Sequence, residues 1–244
     1  MNTSKPRIIM ISSSPRSYGS SNQLLVVAAK GVIDGGGIPE FINLYEKNIK
    51  PCAGCVSDGN EYCRFPCIIS DDDFNNVASK LLEADGLIIS TPVYWYAPSG
   101  VLKNFIDRLT SMEHMIFHKG RSLLEGKVAG FIATGLDSGV MMAISYLAIT
   151  LNSMGVHIVP WSMAYSHEED ITKDAQAVRD AYNVGLIVAK TAKALKNAEY
   201  IGYDPTVDVK ELAGLVKDFV QTLERERDKR LQWLRKASSC LSCE

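Results

Sequence analysis

The stretch RIIMISSSPRSYGSSNQLL, Arg7–Leu25, joins an apolar run to a helical pattern through a loop of unusual composition. The run Ile8–Ile11 predicts a buried strand over Arg7–Ser13, and the pattern after the loop predicts a helix over Ser21–Ile33. Six serines, one arginine and one glycine lie within Ser12–Leu25, which is more hydroxyl groups than a turn requires. The stretch therefore predicts a strand, a ligand-binding loop and a helix, in that order.

Strands and helices continue to alternate along the chain. Further strands are predicted at Ile38–Leu44, Gly86–Ser90, Lys127–Ala133 and Val156–Pro160, and further helices at about Asp71–Glu83, Pro98–Thr110, Asp137–Met154 and Thr172–Leu195. Parallel strands need crossover connections, which are usually helices. This alternation predicts an α/β fold with one parallel five-stranded sheet and helices on both of its faces.

The C-terminal segment has a different pattern. From Asp208 onward, Leu212, Val216, Phe219 and Leu223 follow one another at steps of four, three and four residues. This spacing predicts an amphipathic helix that packs on the core or on a second subunit. We therefore expect a main domain at residues 1–200, with a cysteine-rich loop at 50–70, and a helical extension at 201–244.

The overall charge and hydropathy exclude several classes of partner. The 244 residues contain 26 Lys and Arg against 28 Asp and Glu, a net charge of −2, so no basic field attracts nucleic acid or anionic lipid. No apolar run is long enough to span a membrane, and the apolar run near the N-terminus ends after four residues. We expect a cytoplasmic protein, whose six cysteines are reduced thiols or metal ligands rather than disulfides.

The loop after the first strand suits a phosphate group. In open α/β folds, ligands bind at the carboxyl ends of the strands, and a helix N-terminus accepts an anion. Serine hydroxyls add donors, and Arg16 adds a forked cation. Neither G-x-x-x-x-G-K-[ST] nor G-x-G-x-x-G is present, so the loop favours a terminal phosphate monoester over a nucleoside triphosphate or a dinucleotide. A serine-rich turn that only caps the helix is the alternative.

Two motifs carry a resemblance to a known family. The pattern S-x-P-R followed by S-N-x-x-L in the first loop, together with TPVYWYAPSGVLKNFIDRL at Thr91–Leu109, resembles the NADPH-dependent FMN reductases of the flavodoxin-like fold. The cysteine loop makes the chain most similar to their iron-sulfur flavoprotein branch. The resemblance covers about residues 7–160 and implies a doubly wound parallel sheet in the order 2-1-3-4-5.

The resemblance also implies FMN and the residues around it. The phosphate would lie among Ser12, Ser14, Arg16, Ser20, Ser21, Asn22 and Gln23, and the isoalloxazine ring beside Pro92, Val93, Tyr94 and Trp95. A third loop, with Thr134, Gly135 and Asp137, would cover the polar end of the ring, although it lacks the glycine-rich form expected of the family. Taken alone, the aromatic residues fit core packing or a subunit interface equally well.

The loop KPCAGCVSDGNEYCRFPC places Cys52, Cys55, Cys63 and Cys67 in the spacing C-x2-C-x7-C-x3-C. Thiolates bind both zinc and iron-sulfur clusters, and zinc usually pairs two C-x2-C knuckles where this loop has one. The iron-sulfur flavoproteins use four cysteines at this point for a 4Fe-4S cluster, with an earlier third cysteine. A cluster, zinc and free thiols all remain open.

Other candidate ligands carry weaker signals. Cys240 and Cys243 near the C-terminus fit an idle, frayed tail better than a redox site. His114 and His118 stand four residues apart, and we expect surface histidines there rather than a metal site.

The resulting hypothesis is an FMN-dependent oxidoreductase. Electrons would come from NAD(P)H or a reduced carrier and leave to a quinone-like or other acceptor, which is a small molecule or a protein. The flavin supplies the chemistry, so no catalytic side chain is assigned. The family and the terminal helix imply a homodimer or homotetramer. A non-enzymatic electron carrier and a zinc-stabilised binding protein are the alternatives.

Overall fold

The computed structural model describes residues 4–196, 198, 202–204 and 206–241, with side chains as far as residue 236. Cys243 and the side chain of Cys240 lie outside the described residues. The chain divides into two compact units, Met1–Tyr203 and Asp204–Glu244.

The first unit alternates strands and helices. Its strands are β1 Arg7–Ser12, β2 Ile38–Asn43, β3 Gly86–Tyr94, β4 Ala97–Pro98, β5 Val128–Thr134 and β6 His157–Ser166. Its helices are α1 Ser20–Asp34, α2 Phe74–Leu82, α3 Gly100–Glu113, α4 Met115–Lys119, α5 Val140–Ser153 and α6 Ala175–Leu195. The second unit contains α7, Val209–Leu241, so the predicted C-terminal helix is present.

The sheet has the predicted flavodoxin-like order. Its path is β2-β1-β3-β5-β6, and every neighbouring pair on this path is parallel. The two-residue β4 pairs only with β3, antiparallel, and adds a sixth strand off the path. Without β4 this is the predicted order 2-1-3-4-5, in which the direction of winding reverses between β1 and β3.

Two apolar clusters hold the sheet between helices. One cluster joins the sheet to α2, α3 and α5, and the other joins it to α1 and α6. The central strands are apolar in consecutive positions because both faces are covered, as Ile8–Ile11 and Leu87–Ile89 show. The rigid sheet fixes the carboxyl ends of β1, β3, β5 and β6 at one edge.

The prediction that β3 ends near Ser90 is wrong. The strand continues to Tyr94, and Pro92 lies opposite Thr134 of β5. The partner β1 stops at Ser12, which lies opposite Ser90, and β4 pairs with β3 only from Val93 onward, so among the described residues Thr91 and Pro92 have a strand partner only in β5. A proline without an amide donor is tolerated on such an unpaired side.

The predicted fifth strand is also too short. It forms β6, which passes Pro160 and continues to Ser166. The register shifts between Ala129 and Phe131, which lie opposite Ile158 and Met163. Residues 159–162 therefore form an irregularity that accommodates the proline without ending the strand.

Within the described part of the chain, we find no helix long and apolar enough to cross a membrane.

Candidate functional site

A cavity of about 370 Å³ lies at the carboxyl edge of the sheet. Segments that follow β1, β3, β5 and β6 all contribute to it. Its lining consists of Arg16, Ser20, Pro92, Val93, Tyr94, Trp95, Tyr96, Thr134, Gly135, Leu136, Asp137, Ser138, Glu168 and Glu169. This is the edge at which open α/β sheets bind ligands, next to the reversal between β1 and β3.

Arg16 supplies the cavity with a free cation. Its residue is exposed, and within the described part of the chain its guanidinium has no acceptor. Its own backbone is fixed, because its carbonyl accepts hydrogen bonds from the Gly19 amide at 3.0 Å and from Asn22 Nδ2 at 2.9 Å. An unpaired guanidinium on a held backbone is ready to bind an anion.

Four of the predicted phosphate residues, Ser12, Ser14, Asn22 and Gln23, build the loop instead of lining the main cavity. Ser14 Oγ accepts from the Arg16 amide and donates to the Arg16 carbonyl, both at 3.2 Å. Ser12 Oγ donates to Asn22 Oδ1 at 2.5 Å, and Gln23 Nε2 donates to the Tyr18 carbonyl at 2.8 Å. These side chains therefore hold the loop in shape around Arg16.

Ser21 is buried and does not line the main cavity. Its carbonyl accepts a hydrogen bond from Ser90 Oγ at 2.7 Å. Ser12 and Asn22 also line a separate, smaller cavity of about 200 Å³. Of the seven predicted phosphate residues, only Arg16 and Ser20 line the main cavity.

The aromatic turn after β3 forms one wall of the cavity. Trp95 and Tyr96 have φ of 51° and 66°, a left-handed conformation that bulky residues rarely adopt. The Trp95 side chain is 93% exposed. Strained, exposed aromatic residues beside a cavity are typical of ligand sites, because an exposed side chain gains no packing energy that would offset the backbone strain.

A glycine permits the close approach of this turn to α5. Gly139 has φ of 103°, and a Cβ atom there would lie 2.9 Å from the Cα of Tyr96. Thr91 Oγ1 also accepts from the Ser99 amide at 3.1 Å, which ties the turn to the start of α3. The turn is therefore held at both ends.

The loops after β5 and β6 form the opposite wall. The Gly135 amide donates to the Ser166 carbonyl at 3.2 Å, and His167 Nδ1 lies 2.9 Å from the Gly135 carbonyl. Ser20 Oγ donates to the Glu169 carbonyl at 3.1 Å, which joins this wall to the first loop. The predicted residues Thr134, Gly135 and Asp137 all line the cavity.

Five lining residues were not among the predicted site residues: Tyr96, Leu136, Ser138, Glu168 and Glu169. Three of them are sequence neighbours of predicted residues. Glu168 and Glu169 follow β6, and only the rule that ligands bind at strand carboxyl ends could have indicated them. No local motif marks them.

The loop at 50–70 buries one of its four cysteines. Cys63 is 6% exposed, and burial raises the pKa of its thiol to about 12, with further increases from Cys55, Cys52 and Cys67. Two sulfur atoms also accept hydrogen bonds, Cys52 Sγ from the Gly54 amide at 3.4 Å and Cys67 Sγ from Arg108 Nε at 3.2 Å.

The arrangement of these thiols is not that of a site for one metal ion. Among the residues that the structure describes, no group of three or more His, Cys, Asp or Glu side chains could hold one. None of these four cysteines forms a disulfide. The donor set, four thiols with N–H groups pointing at two of the sulfurs, matches the chemistry of an iron-sulfur cluster, which is larger than a single ion. Metal binding by these residues stays a prediction.

The expectation that His114 lies at the surface is wrong. Its ring is buried, 5.8 Å from the ring of His118, and its Nε2 has no hydrogen-bond partner in the described part of the chain. His118 Nε2 lies 3.0 Å from the carbonyl of Cys63. The helix prediction stopped at Thr110, whereas α3 and α4 continue to Lys119 and place His118 against the cysteine loop.

Comparison with known proteins gives concordant results. The model of the family described as NADPH-dependent FMN reductase matches residues 6–170. An iron-sulfur flavoprotein of Methanocaldococcus jannaschii is 35% identical over 129 residues, which are 53% of this chain and 62% of that protein. The FMN reductase (NADPH) of Escherichia coli is 30% identical over 140 residues, 57% of this chain and 62% of that protein.

Each of these two alignments therefore covers less than two thirds of the relative's own length. Among solved structures, RosB with bound 8-demethyl-8-formylriboflavin-5'-phosphate superposes with a TM-score of 0.68 at 17% identity, covering 87% of each chain. At this identity the likeness shows a shared fold.

Proposed function

The chain belongs to the NADPH-dependent FMN reductase family, and on this basis we propose that it is an FMN-dependent oxidoreductase. NAD(P)H or a reduced carrier would be the electron donor, and a quinone-like or other acceptor, small molecule or protein, would take the electrons. One observation carries the proposal: a single cavity at the carboxyl edge joins an unpaired guanidinium to an aromatic wall.

The residues around the cavity fit the two ends of FMN. Arg16 lies in the loop before α1 and Ser20 is the first residue of that helix, where a phosphate would gain from the charge of Arg16 and from the helix terminus. The segment Pro92–Tyr96 offers apolar and backbone contacts to a flat ring. Bound FMN would supply the exchange of hydride and electrons, and the protein would position it and exclude water.

The phosphate contact is tested with Arg16→Met. Loss of a charge-assisted hydrogen bond costs about 1.5–3 kcal/mol, so we expect FMN to bind about tenfold to a hundredfold more weakly in a fluorescence titration. Arg121→Met removes an exposed cation that does not line the cavity, and it should leave the affinity unchanged. Equal affinities for wild type and Arg16→Met would contradict the assigned phosphate site.

Steady-state kinetics separate an enzyme from an electron carrier. The purified, FMN-loaded protein should oxidise NADPH or NADH with a quinone as acceptor. A carrier would show almost no turnover until a separate reductase is added. Turnover only in the presence of that reductase would favour the carrier.

We further propose that Cys52, Cys55, Cys63 and Cys67 hold a 4Fe-4S cluster. Four cysteines within one loop and the hydrogen bond from Arg108 Nε to Cys67 Sγ support this, as does the similarity to a protein named an iron-sulfur flavoprotein. Iron and zinc analysis of anaerobically prepared protein, with its absorption spectrum, tests the proposal. Four iron atoms per chain would support the cluster, and zinc or no metal would refute it.

The oligomer is also part of the proposal. We infer a homodimer or homotetramer, because α7 carries an exposed apolar stripe that includes Leu212, Val216, Phe219 and Leu223. An apolar stripe on a helix gains free energy when a partner covers it.

A further inference from the structure

The guanidinium of the fully buried Arg108, in α3, binds the cysteine loop. Its side chain and that of Asp72 are both 0% exposed, and Arg108 Nη1 lies 2.7 Å from Asp72 Oδ2. Its Nε donates to Cys67 Sγ at 3.2 Å. Buried charges are costly unless they are paired, so a side chain kept in this place has its orientation fixed by those partners.

The remaining N–H groups hold the two ends of the same loop. Nη1 donates to the Lys50 carbonyl at 3.2 Å, and Nη2 donates to the Ile69 carbonyl at 2.9 Å. The guanidinium carbon also lies 4.4 Å from the centre of the Phe74 ring. One side chain therefore closes the loop at its base and points one donor at its last cysteine.

The same helix carries the aromatic turn of the cavity. Only the short β4 and one further residue separate the turn from residue 100, at the start of α3, and Arg108 lies about 12 Å further along the helix axis. Asn104, between them, donates to the Ile49 carbonyl at 3.2 Å. The ring-binding wall and the cysteine loop are thus fixed to one rigid element.

We propose that Arg108 is the positioning residue of the cysteine loop. Arg108 fixes Cys67 as a cluster ligand, and the hydrogen bond from its Nε makes the bound cluster easier to reduce. The inference rests on the proposed 4Fe-4S cluster. A reduced cluster carries one more negative charge than an oxidised one, so an N–H donor at a ligand sulfur stabilises the reduced form more. Without that donor the equilibrium shifts toward the oxidised form.

The test compares the wild type with Arg108→Lys. Lysine keeps the positive charge beside Asp72 but lacks the fork that reaches both the carboxylate and the sulfur. We expect about a tenfold shift toward the oxidised cluster, which is a midpoint potential lower by about 59 mV for one electron. The potential is measured by redox titration followed by electron paramagnetic resonance, with iron per chain determined on the same samples.

Two further variants separate this role from folding. Arg108→Met combined with Asp72→Asn removes the donor without leaving a buried carboxylate unpaired, and it should lower the potential or the iron content while FMN still binds. Lys103→Gln removes an exposed cation from the same helix, where Lys103 pairs with Asp107, and should change neither.

The outcomes distinguish the two proposals. Wild-type protein without iron overturns the cluster and the role of Arg108 with it. Wild-type protein with iron, together with Arg108 variants of unchanged iron content and potential, overturns the role of Arg108 alone.

Discussion

Lys127, just before β5, is an ammonium group that the fold has buried. It is 8% exposed, and its Nζ donates to the Ala84 carbonyl at 2.7 Å. Burial lowers the pKa of Lys127 to about 8, with a small opposing effect from Asp85. Because the unfolded chain titrates near 10.4, the unfolded state holds more protons between pH 8 and 10.5, and stability rises with pH in that window.

Replacing this lysine should therefore change stability in a pH-dependent way. The shift corresponds to about 3 kcal/mol that the folded protein loses at pH 7 and recovers by pH 10.5. We expect the free energy of unfolding of Lys127→Met, relative to wild type, to fall by about this amount between pH 7 and 10.5. Urea denaturation at both pH values measures it.

Lys119→Met is the matched control, because Lys119 is exposed. Its difference from wild type should not depend on pH. Parallel pH dependences for wild type and Lys127→Met would show that Lys127 titrates normally in the folded protein.

For single residues, the sequence indicates which positions lie near a ligand site, but not which groups their side chains form hydrogen bonds with. Arg16 and Pro92–Trp95 line the cavity at the carboxyl edge of the sheet, where open α/β folds bind ligands, and their contacts with FMN stay a prediction. The serines of the first loop were assigned to a phosphate by their hydroxyl groups, and the structure shows Ser12 and Ser14 bonded within the loop. A hydroxyl bonds donors and acceptors equally well, so its partner depends on the folded backbone.

At the scale of elements, α1 and α6 cross with almost no space between their backbones. A Cβ atom at Gly185 of α6 would lie 1.8 Å from the Ala28 carbonyl oxygen, and one at Gly31 of α1 would lie 2.0 Å from the Tyr182 carbonyl oxygen. Each of these glycines thus contacts the backbone of the other helix. The close crossing belongs to the apolar cluster that joins the sheet to α1 and α6.

Gly185→Ala should separate the two helices. Overpacking in a core costs about 1–3 kcal/mol, and a contact with rigid backbone belongs at the upper end of that range. We expect the free energy of unfolding to fall by about 3 kcal/mol in urea denaturation. Gly100→Ala is the control, since a Cβ there meets nothing within 4 Å. Equal stability of the two variants would mean that α6 shifts away at little cost.

The strands that the sequence predicted are marked by their own residues, whereas the features that it missed depend on neighbouring strands. Ile8–Ile11 and Leu87–Ile89 mark strands because burial on both faces requires continuous apolar residues. The end of β3, the short β4 and the passage of β6 through Pro160 depend on which neighbouring strand is still present. Proline was interpreted as a strand end, but its missing amide matters only where a partner needs it.

At the scale of the whole molecule, the main cavity belongs entirely to the first unit. Its lining residues lie between positions 16 and 169, whereas the second unit begins at Asp204. The main domain at residues 1–200 and the helical extension at 201–244 stay predictions from the sequence. A cytoplasmic location remains a prediction from the sequence.

The second unit leads to a prediction about assembly. Leu212, Val216, Phe219 and Leu223 of α7 are each between 43% and 63% exposed, and their steps of four, three and four residues match the seam along which helices pair. A second copy of the same helix presents the same seam. We therefore expect the wild type to have a mass that is a multiple of that of one chain in light scattering coupled to gel filtration.

Two charges in the seam should dissociate this assembly. The double variant Val216→Asp with Phe219→Asp places carboxylates where apolar side chains would meet, and burying unpaired charges is costly. We expect a lower mass with unchanged affinity for FMN, since neither residue lines the cavity. Gln221→Asp adds a charge on the opposite side of α7 and should leave the mass unchanged. Equal masses for all three proteins would show that the seam does not join the subunits, because a carboxylate in a buried seam could not leave the association intact.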